Sequence, residues 1–457
     1  EAVRAAGGFV STKLARGAAP PLGVPGLLAS APVDAGEVLL RVPERLHLTP
    51  STVKDVAPEL CEAVSKLYHG GDSLSQEPLA QAVFLAGLLR AAEDRAGAPG
   101  GPSAAGQRPW PLGGPGPDAA VRSAWERYAD MLLGEDFNGH PYLRAAADPD
   151  GLLALLRPSC EPEFLLDRAS SLLETFNVLS GGCPREHLGG DLRLDMFVRA
   201  RLSLLSRCFQ TSSESALVPV VDLMNHSESP GVAWHWDGDA REMVATAGRR
   251  HGAGEELLDS YGSRSNVLLS RTYGFTQHPR VEPSWSFVIC PQCVHHVYED
   301  FLPEASRGLQ ILLNSARMED SLCTALNAAG SFGRDAGEFL RLVCARCMAA
   351  YEAEPCMQPA LRALREARAV APASAAWWEH LGGDAHLAAE ESVRIRMSEY
   401  LCLLAHLEAV DCATGAAAEG ACLERSGALR GDVRDALRAL ADGFSFVLRR
   451  APVAGVG

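Results

Sequence analysis

The chain of 457 residues carries a net charge of −15, with 47% hydrophobic and 22% charged residues. This length is enough for two or three domains and a large core. The acidic balance argues against a general nucleic-acid or anionic-membrane binder, and it weakly favours basic protein segments as partners. No apolar run is long enough to span a membrane, so we expect no membrane partner.

The thirteen cysteines are an odd number without regular spacing. This pattern indicates thiols in a reducing compartment rather than a disulfide framework, so we expect an intracellular protein. The first residue is Glu1, and we therefore expect a trimmed N-terminus from which no targeting segment can be read. Cytoplasm and chloroplast both stay open as locations.

The first part of the chain predicts a β-rich unit followed by a helix. Gly26 and Gly36 mark turns, and a short run with strand propensity follows each. Residues 97–118 are rich in Gly and Pro, so they bury too little apolar surface to become ordered and predict a flexible loop. Residues 76–95 predict an amphipathic helix with an apolar face of Leu79, Val83, Leu85, Leu88 and Leu89.

Further helical segments follow this loop. Residues 123–130 and 162–180 have helical spacing, and we expect Trp125 and Tyr128 to pack in the core. A longer helix is predicted over 195–209 from the spacing of Phe197, Leu202, Leu205 and Phe209.

Two polar motifs, Asp222-Leu-Met-Asn-His-Ser227 and Gly254-Glu-Glu-Leu-Leu-Asp-Ser-Tyr-Gly262, stand out in the middle of the chain. The apolar run 217–223 before the first motif predicts a buried strand that stops at a polar turn. Residues 257–258 predict a second short strand that ends at Tyr261-Gly262. Two strands that end in polar clusters are expected to place Asn225, His226 and Tyr261 around one pocket.

From about residue 285 onward the pattern is almost entirely helical, with apolar stripes over 336–354, 385–410 and 424–448. Two C-x-x-C pairs lie in this region, Cys290/Cys293 and Cys344/Cys347. They raise the possibility of a zinc site, to which His295 and His296 would add. We expect no metal, since the pairs are some fifty residues apart and the second continues the apolar face of a helix.

The two central motifs, together with Ser206-Arg207-Cys208-Phe209 and Tyr273-Gly-Phe275, resemble those of the SET-domain protein methyltransferases. They are most similar to the branch of the Rubisco large-subunit lysine methyltransferase, which also includes the actin-histidine methyltransferase. The resemblance implies an α+β fold, with a β-rich SET domain that contains a helical insert and is followed by an all-α substrate-binding domain. It implies residues 1–75 and 186–283 for SET, 76–185 for the insert and 284–457 for the helical domain.

The resemblance also implies S-adenosyl-L-methionine (AdoMet) as cofactor and assigns residues to it. The Asn-His pair binds AdoMet partly through its backbone, Arg207 holds the carboxylate of the cofactor, and Tyr261 aligns the substrate amine in the acceptor channel. Besides Arg207, the residues implied at the cofactor are Gly23, Val24, Pro25, Asp222, the pair Asn225 and His226, Tyr273 and Phe275.

The expectation that lysine is the methyl acceptor rests on Phe209. It matches the apolar wall that suits a lysine stem, whereas a histidine ring needs a hydrogen-bond acceptor for its second nitrogen. We expect Arg207 and Phe209 to lie on different sides of one helix, so that Arg207 faces the cofactor and Phe209 faces the acceptor channel. The expected activity is therefore lysine methylation of a non-histone protein, which a monomer binds through its C-terminal helices. Histidine methylation and a non-catalytic SET-like interaction module are the alternatives.

Overall fold

The computed structural model describes most of the chain and divides it into two compact units. Unit 1 comprises residues 1–137 and 170–263, and unit 2 comprises 138–169 and 264–457. Unit 2 therefore begins before the predicted boundary at 284 and includes part of the predicted insert. The described residues are 1–18, 23–67, 79–97, 110, 112, 116–188, 190–211, 214–277, 286–314, 319–370 and 391–413.

Unit 1 is built on short antiparallel strands. Its largest sheet has four strands in the order β1-β4-β8-β7, and β2–β3 and β5–β6 form two further pairs. The strands of unit 1 are β1 (Phe9–Val10), β2 (Leu14–Ala18), β3 (Pro25–Ala29), β4 (Val38–Pro43), β5 (Cys208–Gln210), β6 (Ser215–Leu217), β7 (Val232–Asp237) and β8 (Glu242–Ala247).

The helices of unit 1 surround α4, which is buried on nearly all sides and not only on the predicted face. Gln81 on α4 is fully buried, and its amide donates to the carbonyl of Leu48 at 2.5 Å. The helices are α1 (Ala2–Ala5), α2 (Pro50–Val56), α3 (Pro58–Leu67), α4 (Leu79–Ala96), α5 (Ala119–Leu133), the C-terminal part of α8 (Glu161–Gly182), α9 (Arg185–Leu188) and α10 (Leu194–Arg207).

Unit 2 is mainly helical, but the two short paired strands β9 (Ser286–Val288) and β10 (Leu312–Asn314) interrupt the predicted helical region. Its core includes Phe339, Leu340 and Leu326. The helices are α6 (Pro141–Ala147), α7 (Pro149–Leu156), the start of α8 (Glu161–Gly182), α11 (Asn266–Tyr273), α12 (Pro291–Phe301), α13 (Asp320–Ser331), α14 (Ala336–Glu352), α15 (Gln358–Val370) and α16 (Glu391–Ala413).

Three predicted elements near the polar motifs are wrong in detail. The predicted strand 217–223 ends at Leu217, because Val220 takes a left-handed conformation (φ 76°) and residues 221–223 form a 3₁₀ turn. Residues 257–258 form no strand, and isolated bridges lie on either side of them at Glu256 and Asp259. The predicted helix 195–209 ends at Arg207, and Phe209 lies in β5, where it pairs with Ala216.

Two predictions concern residues outside the described part. The flexible loop predicted over 97–118 falls mostly there, and the helix predicted over 424–448 falls there entirely. Within the described part of the chain, no helix is both long and apolar enough to cross a membrane.

Candidate functional site

The two central motifs of unit 1 run side by side through their backbones. The Asp259 N–H donates to the Asn225 carbonyl at 2.9 Å, and the Ser227 N–H donates to the Asp259 carbonyl at 2.7 Å. These two bonds accompany a parallel bridge between His226 and Asp259. The pairing brings Tyr261, two residues further on, alongside the Asn-His turn.

Tyr261 is held at three points on that turn. Its N–H donates to Nδ1 of His226 at 3.0 Å, and the two rings stack with centroids 5.1 Å apart and planes 28° from parallel. Its hydroxyl donates to the carbonyl of Met224 at 2.8 Å. Because Nδ1 of His226 accepts a bond, the proton of the neutral ring lies on Nε2. The predicted grouping of Asn225, His226 and Tyr261 is thus present in unit 1.

The Asn225 side chain lies against β3. Its amide donates to Oε1 of Glu256 at 2.7 Å and to the Pro25 carbonyl at 3.3 Å. A Cβ placed on Gly26 would meet Glu256 Oε1 at 2.6 Å and Asn225 Nδ2 at 2.7 Å, so any other residue here would force these two side-chain ends to shift. Sequence reasoning missed Glu256, although it stands within the second motif, and Gly26, which was predicted at a turn but lies in β3.

The residues before Asn225's partner Pro25 contribute less. Gly23 has φ 65° and open space around its Cα, and the Val24 side chain is 49% exposed. Among the described residues, the Pro25 carbonyl accepts from Asn225, and neither Gly23 nor Val24 makes such a contact. Their assignment to the cofactor remains a prediction.

Arg207 ends α10 and is bound by two carboxylates. Its guanidinium donates to the carbonyl of Asp222 at 2.7 Å, lies 2.9 Å from Oε2 of Glu135 and 3.8 Å from Oδ2 of Asp222. Burial disfavours its charged form, but Asp222 and Glu135 together raise the pKa of Arg207 above its ordinary value. Arg207 therefore stays cationic at any physiological pH.

Asp222 is buried close to the Asn-His turn and contacts the hydroxyl of Tyr128 and the guanidinium of Arg207. The hydroxyl of Tyr128 donates to Oδ2 of Asp222, while Oδ1 has no hydrogen-bond partner among the described residues. Burial raises the pKa of Asp222 to about 6, against the opposite effects of Arg207 and Tyr128. The expectation that Tyr128 only packs in the core is incomplete, because its hydroxyl contributes to this polar cluster.

Trp125 is a core residue whose indole donates to the Leu46 carbonyl at 2.9 Å.

Phe209 forms an aromatic wall with a residue that sequence reasoning missed. Its ring meets Trp234 of β7 edge to face, with centroids 5.0 Å apart and planes at 85°. A hydrogen bond from the Trp234 side chain to Asp259 links this wall to the segment that leads to Tyr261. The placement of Phe209 opposite Arg207 on one helix is wrong, since Phe209 lies in β5.

Tyr273 and Phe275 belong to unit 2, at the end of α11. Their rings contact each other with centroids 6.0 Å apart, and Gly274 between them ends the helix in the left-handed conformation (φ 75°). Their predicted contact with the cofactor remains a prediction. Among the described residues, no group of three or more His, Cys, Asp or Glu side chains is arranged to hold a metal ion.

The model of the SET-domain family matches residues 25–262, which is more than half of the chain. The chain therefore belongs to the SET-domain family. This match covers both central motifs and Arg207, whereas α11 and the helices after it lie beyond the matched range. A comparison with curated proteins gives no match.

Three solved structures of a related fold cover nearly the whole chain. "Structure of Rubisco LSMT bound to AdoMet" has a TM-score of 0.56 at 17% identity and covers 100% of this chain and 97% of that chain. "Structure of Rubisco LSMT bound to Sinefungin and Monomethyllysine" has 0.57 at 16%, covering 90% of each. "Crystal structure of the SET domain of LSMT bound to Lysine and AdoHcy" has 0.55 at 16%, covering 88% of each. The predicted family resemblance and fold class are confirmed.

The raised pKa of Asp259 predicts how stability depends on pH. Burial raises this pKa from 3.8 to about 6, so between these values the folded state binds more protons than the unfolded state. The free energy of unfolding should therefore fall as pH rises from about 4 to 6. Asp259→Asn should flatten this slope by up to about 2–3 kcal/mol over the interval, as measured by urea unfolding.

Asp237 provides a comparison, because its pKa is lowered whereas that of Asp259 is raised. It is on the turn after β7, where backbone N–H donors of Ala240 and Asp239 lower its pKa. Its contribution to stability is lost as pH falls, so Asp237→Asn should not flatten the slope described above. Identical slopes in wild type and Asp259→Asn would contradict the prediction.

Proposed function

We propose that this chain is an AdoMet-dependent protein-lysine N-methyltransferase that acts on a non-histone protein. The observation that carries the proposal is the joined Asn225–His226 turn and Tyr261 within the matched SET region. Support also comes from the solved neighbours of the same fold, one bound to AdoMet and another to monomethyllysine.

The residues of the first motif and β3 fit the proposed cofactor. Gly26 has no side chain, so the side chains of Asn225 and Glu256 can lie directly against the backbone of β3. The carboxylate of Glu256 complements a cationic cofactor, and Arg207 is proposed to hold the carboxylate of the cofactor in addition to its contacts with Glu135 and Asp222. When bound, AdoMet supplies an electrophilic methyl group on a sulfonium.

Tyr261 acts in this proposal as an aligner and not as a base. Its hydroxyl proton is donated to the Met224 carbonyl, so its oxygen faces an incoming amine as an acceptor. The lysine amine must be neutral to attack, and desolvation beside a cation lowers its pKa from about 10.4. Accepting an amine N–H fixes the direction of the nitrogen lone pair, which is an effect of orientation. Hydrogen bonding and stacking with His226 keep Tyr261 in place.

The Phe209–Trp234 wall favours lysine as the acceptor. Both rings offer apolar surface to an aliphatic stem, and the Phe209 side chain has no atom that accepts a proton from a histidine ring. The neighbouring carboxylate of Asp259 already accepts from Trp234. The helical unit 2 is proposed to bind the protein substrate.

Tyr261→Phe should lower the rate of methyl transfer about 100-fold or more and change AdoMet affinity only a few fold. Only the alignment of the amine is lost, because the ring still stacks on His226. Single-turnover assays with radiolabelled AdoMet give the rate, and calorimetry gives the affinity. Full turnover by the variant would remove Tyr261 from the mechanism.

Asn225→Ala should weaken AdoMet binding by about 1.5–3 kcal/mol, because the side-chain amide and its bond to Glu256 are lost at the proposed cofactor site. Isothermal calorimetry on folded protein measures this directly, without any substrate. Asn177→Ala, an exposed position on α8, is the matched control and should bind as wild type does. Equal affinities of the two variants would refute the role of Asn225.

Phe209→Asn should reduce lysine methylation more than it reduces AdoMet binding, because the apolar wall of the acceptor channel is lost. The substrate is first identified by labelling an undermethylated lysate with radiolabelled AdoMet and sequencing the labelled peptide. Phe9→Asn, at an exposed position of β1, is the control. A methylated histidine that depends on the enzyme, with no methylated lysine, would favour the histidine alternative; AdoMet binding without transfer to any protein would favour the non-catalytic module.

A further inference from the structure

The motif Cys290-Pro-Gln-Cys293 begins helix α12 of unit 2. Cys290 is the N-cap residue, Pro291 is the first helical residue, and the Cys293 N–H donates to the Cys290 carbonyl at 3.1 Å. Residues three apart on a helical turn are neighbours, so the two sulfurs lie on the same side. Both cysteines are partly exposed, and the Cys290 thiol donates to Oε1 of Gln292 at 3.0 Å.

A third thiol lies beside this pair. Cys160, which directly precedes α8, is close enough to Cys290 to hydrogen-bond its sulfur, as is Cys293. Hydrogen bonds from Cys160 and then Cys293 lower the pKa of Cys290, and the same bonds raise the pKa of the two donors. The position at a helix N-terminus acts in the same direction for Cys290. The cluster thus consists of three thiols, and Cys290 is the one whose pKa is lowered.

The second C-x-x-C pair of the chain lacks all of these features. Cys344 and Cys347 lie inside α14 and are buried in the core of unit 2. Burial raises the pKa of Cys344 well above its ordinary value and also raises that of Cys347. This pair has the same spacing in a different environment, and it provides an internal comparison within the protein.

We propose that Cys290 and Cys293 form a dithiol site that exchanges with small disulfides of the oxidised-glutathione class. Cys290 gives up its proton, and the resulting thiolate attacks one sulfur of the small disulfide, forms a mixed disulfide and releases one small thiolate, which takes up that proton. Cys293 gives up its proton and attacks Cys290 Sγ, which forms the Cys290–Cys293 bond and releases the second small thiol. The protein loses two electrons and two protons, and the small disulfide gains them.

The test is a redox titration of the full chain in glutathione buffers of increasing oxidised fraction. Samples are quenched in acid, alkylated and analysed by peptide mass spectrometry. The Cys290–Cys293 disulfide should form at an oxidised-glutathione concentration about tenfold below that needed to modify the exposed Cys356. Cys344 and Cys347 should stay reduced throughout.

Serine variants separate the roles of the three thiols. Cys160→Ser should still form the Cys290–Cys293 disulfide, whereas Cys160→Ser/Cys293→Ser should trap Cys290 as its mixed disulfide with glutathione. Cys323→Ser, at a partly buried thiol of α13, is the matched control and should titrate as wild type does. A Cys290 that stays reduced while Cys356 is modified, or one that pairs only with Cys160, would overturn the proposal.

Discussion

The candidate site depends on the backbone pairing at Asp259. Its N–H donates to Asn225 and its carbonyl accepts from Ser227, and these two bonds join the end of the second motif to the Asn-His turn. Because the bonds are between backbone groups, they fix the direction of the chain and place the Tyr261 ring on His226. The side chain of Asp259 extends the same link to Trp234 and the aromatic wall. The Asn-His turn, the Tyr261 hydroxyl and the Phe209–Trp234 wall are thus all connected through Asp259.

Sequence reasoning found those site residues that stand in contiguous motifs, such as Asn225 and Tyr261. It missed Glu135 and the hydroxyl of Tyr128, because their role depends on packing between α5 and the end of α10 and on no local pattern. A buried arginine requires such partners, since an unpaired charge in the interior is costly. The need for partners was predictable, but their identity was not.

The fold shows the same division between local and long-range information. Hydrophobic periodicity predicted α4 and α14 because each keeps helical spacing over many residues. It failed at Phe209, where the apolar spacing continues but the chain pairs with Ala216 as a strand. It failed again at Val220, whose left-handed conformation breaks an apolar run that contains no glycine. Tertiary contacts overrode local propensity at both positions.

The burial of the Arg207 cluster has a consequence for ionic strength. Charges removed from solvent are screened much less by salt than exposed ones, so the interaction of Arg207 with Asp222 and Glu135 persists in concentrated salt. The net charge of −15, by contrast, acts through solvent on any basic partner. Salt therefore weakens the encounter between protein and partner while it leaves the electrostatics of the site intact.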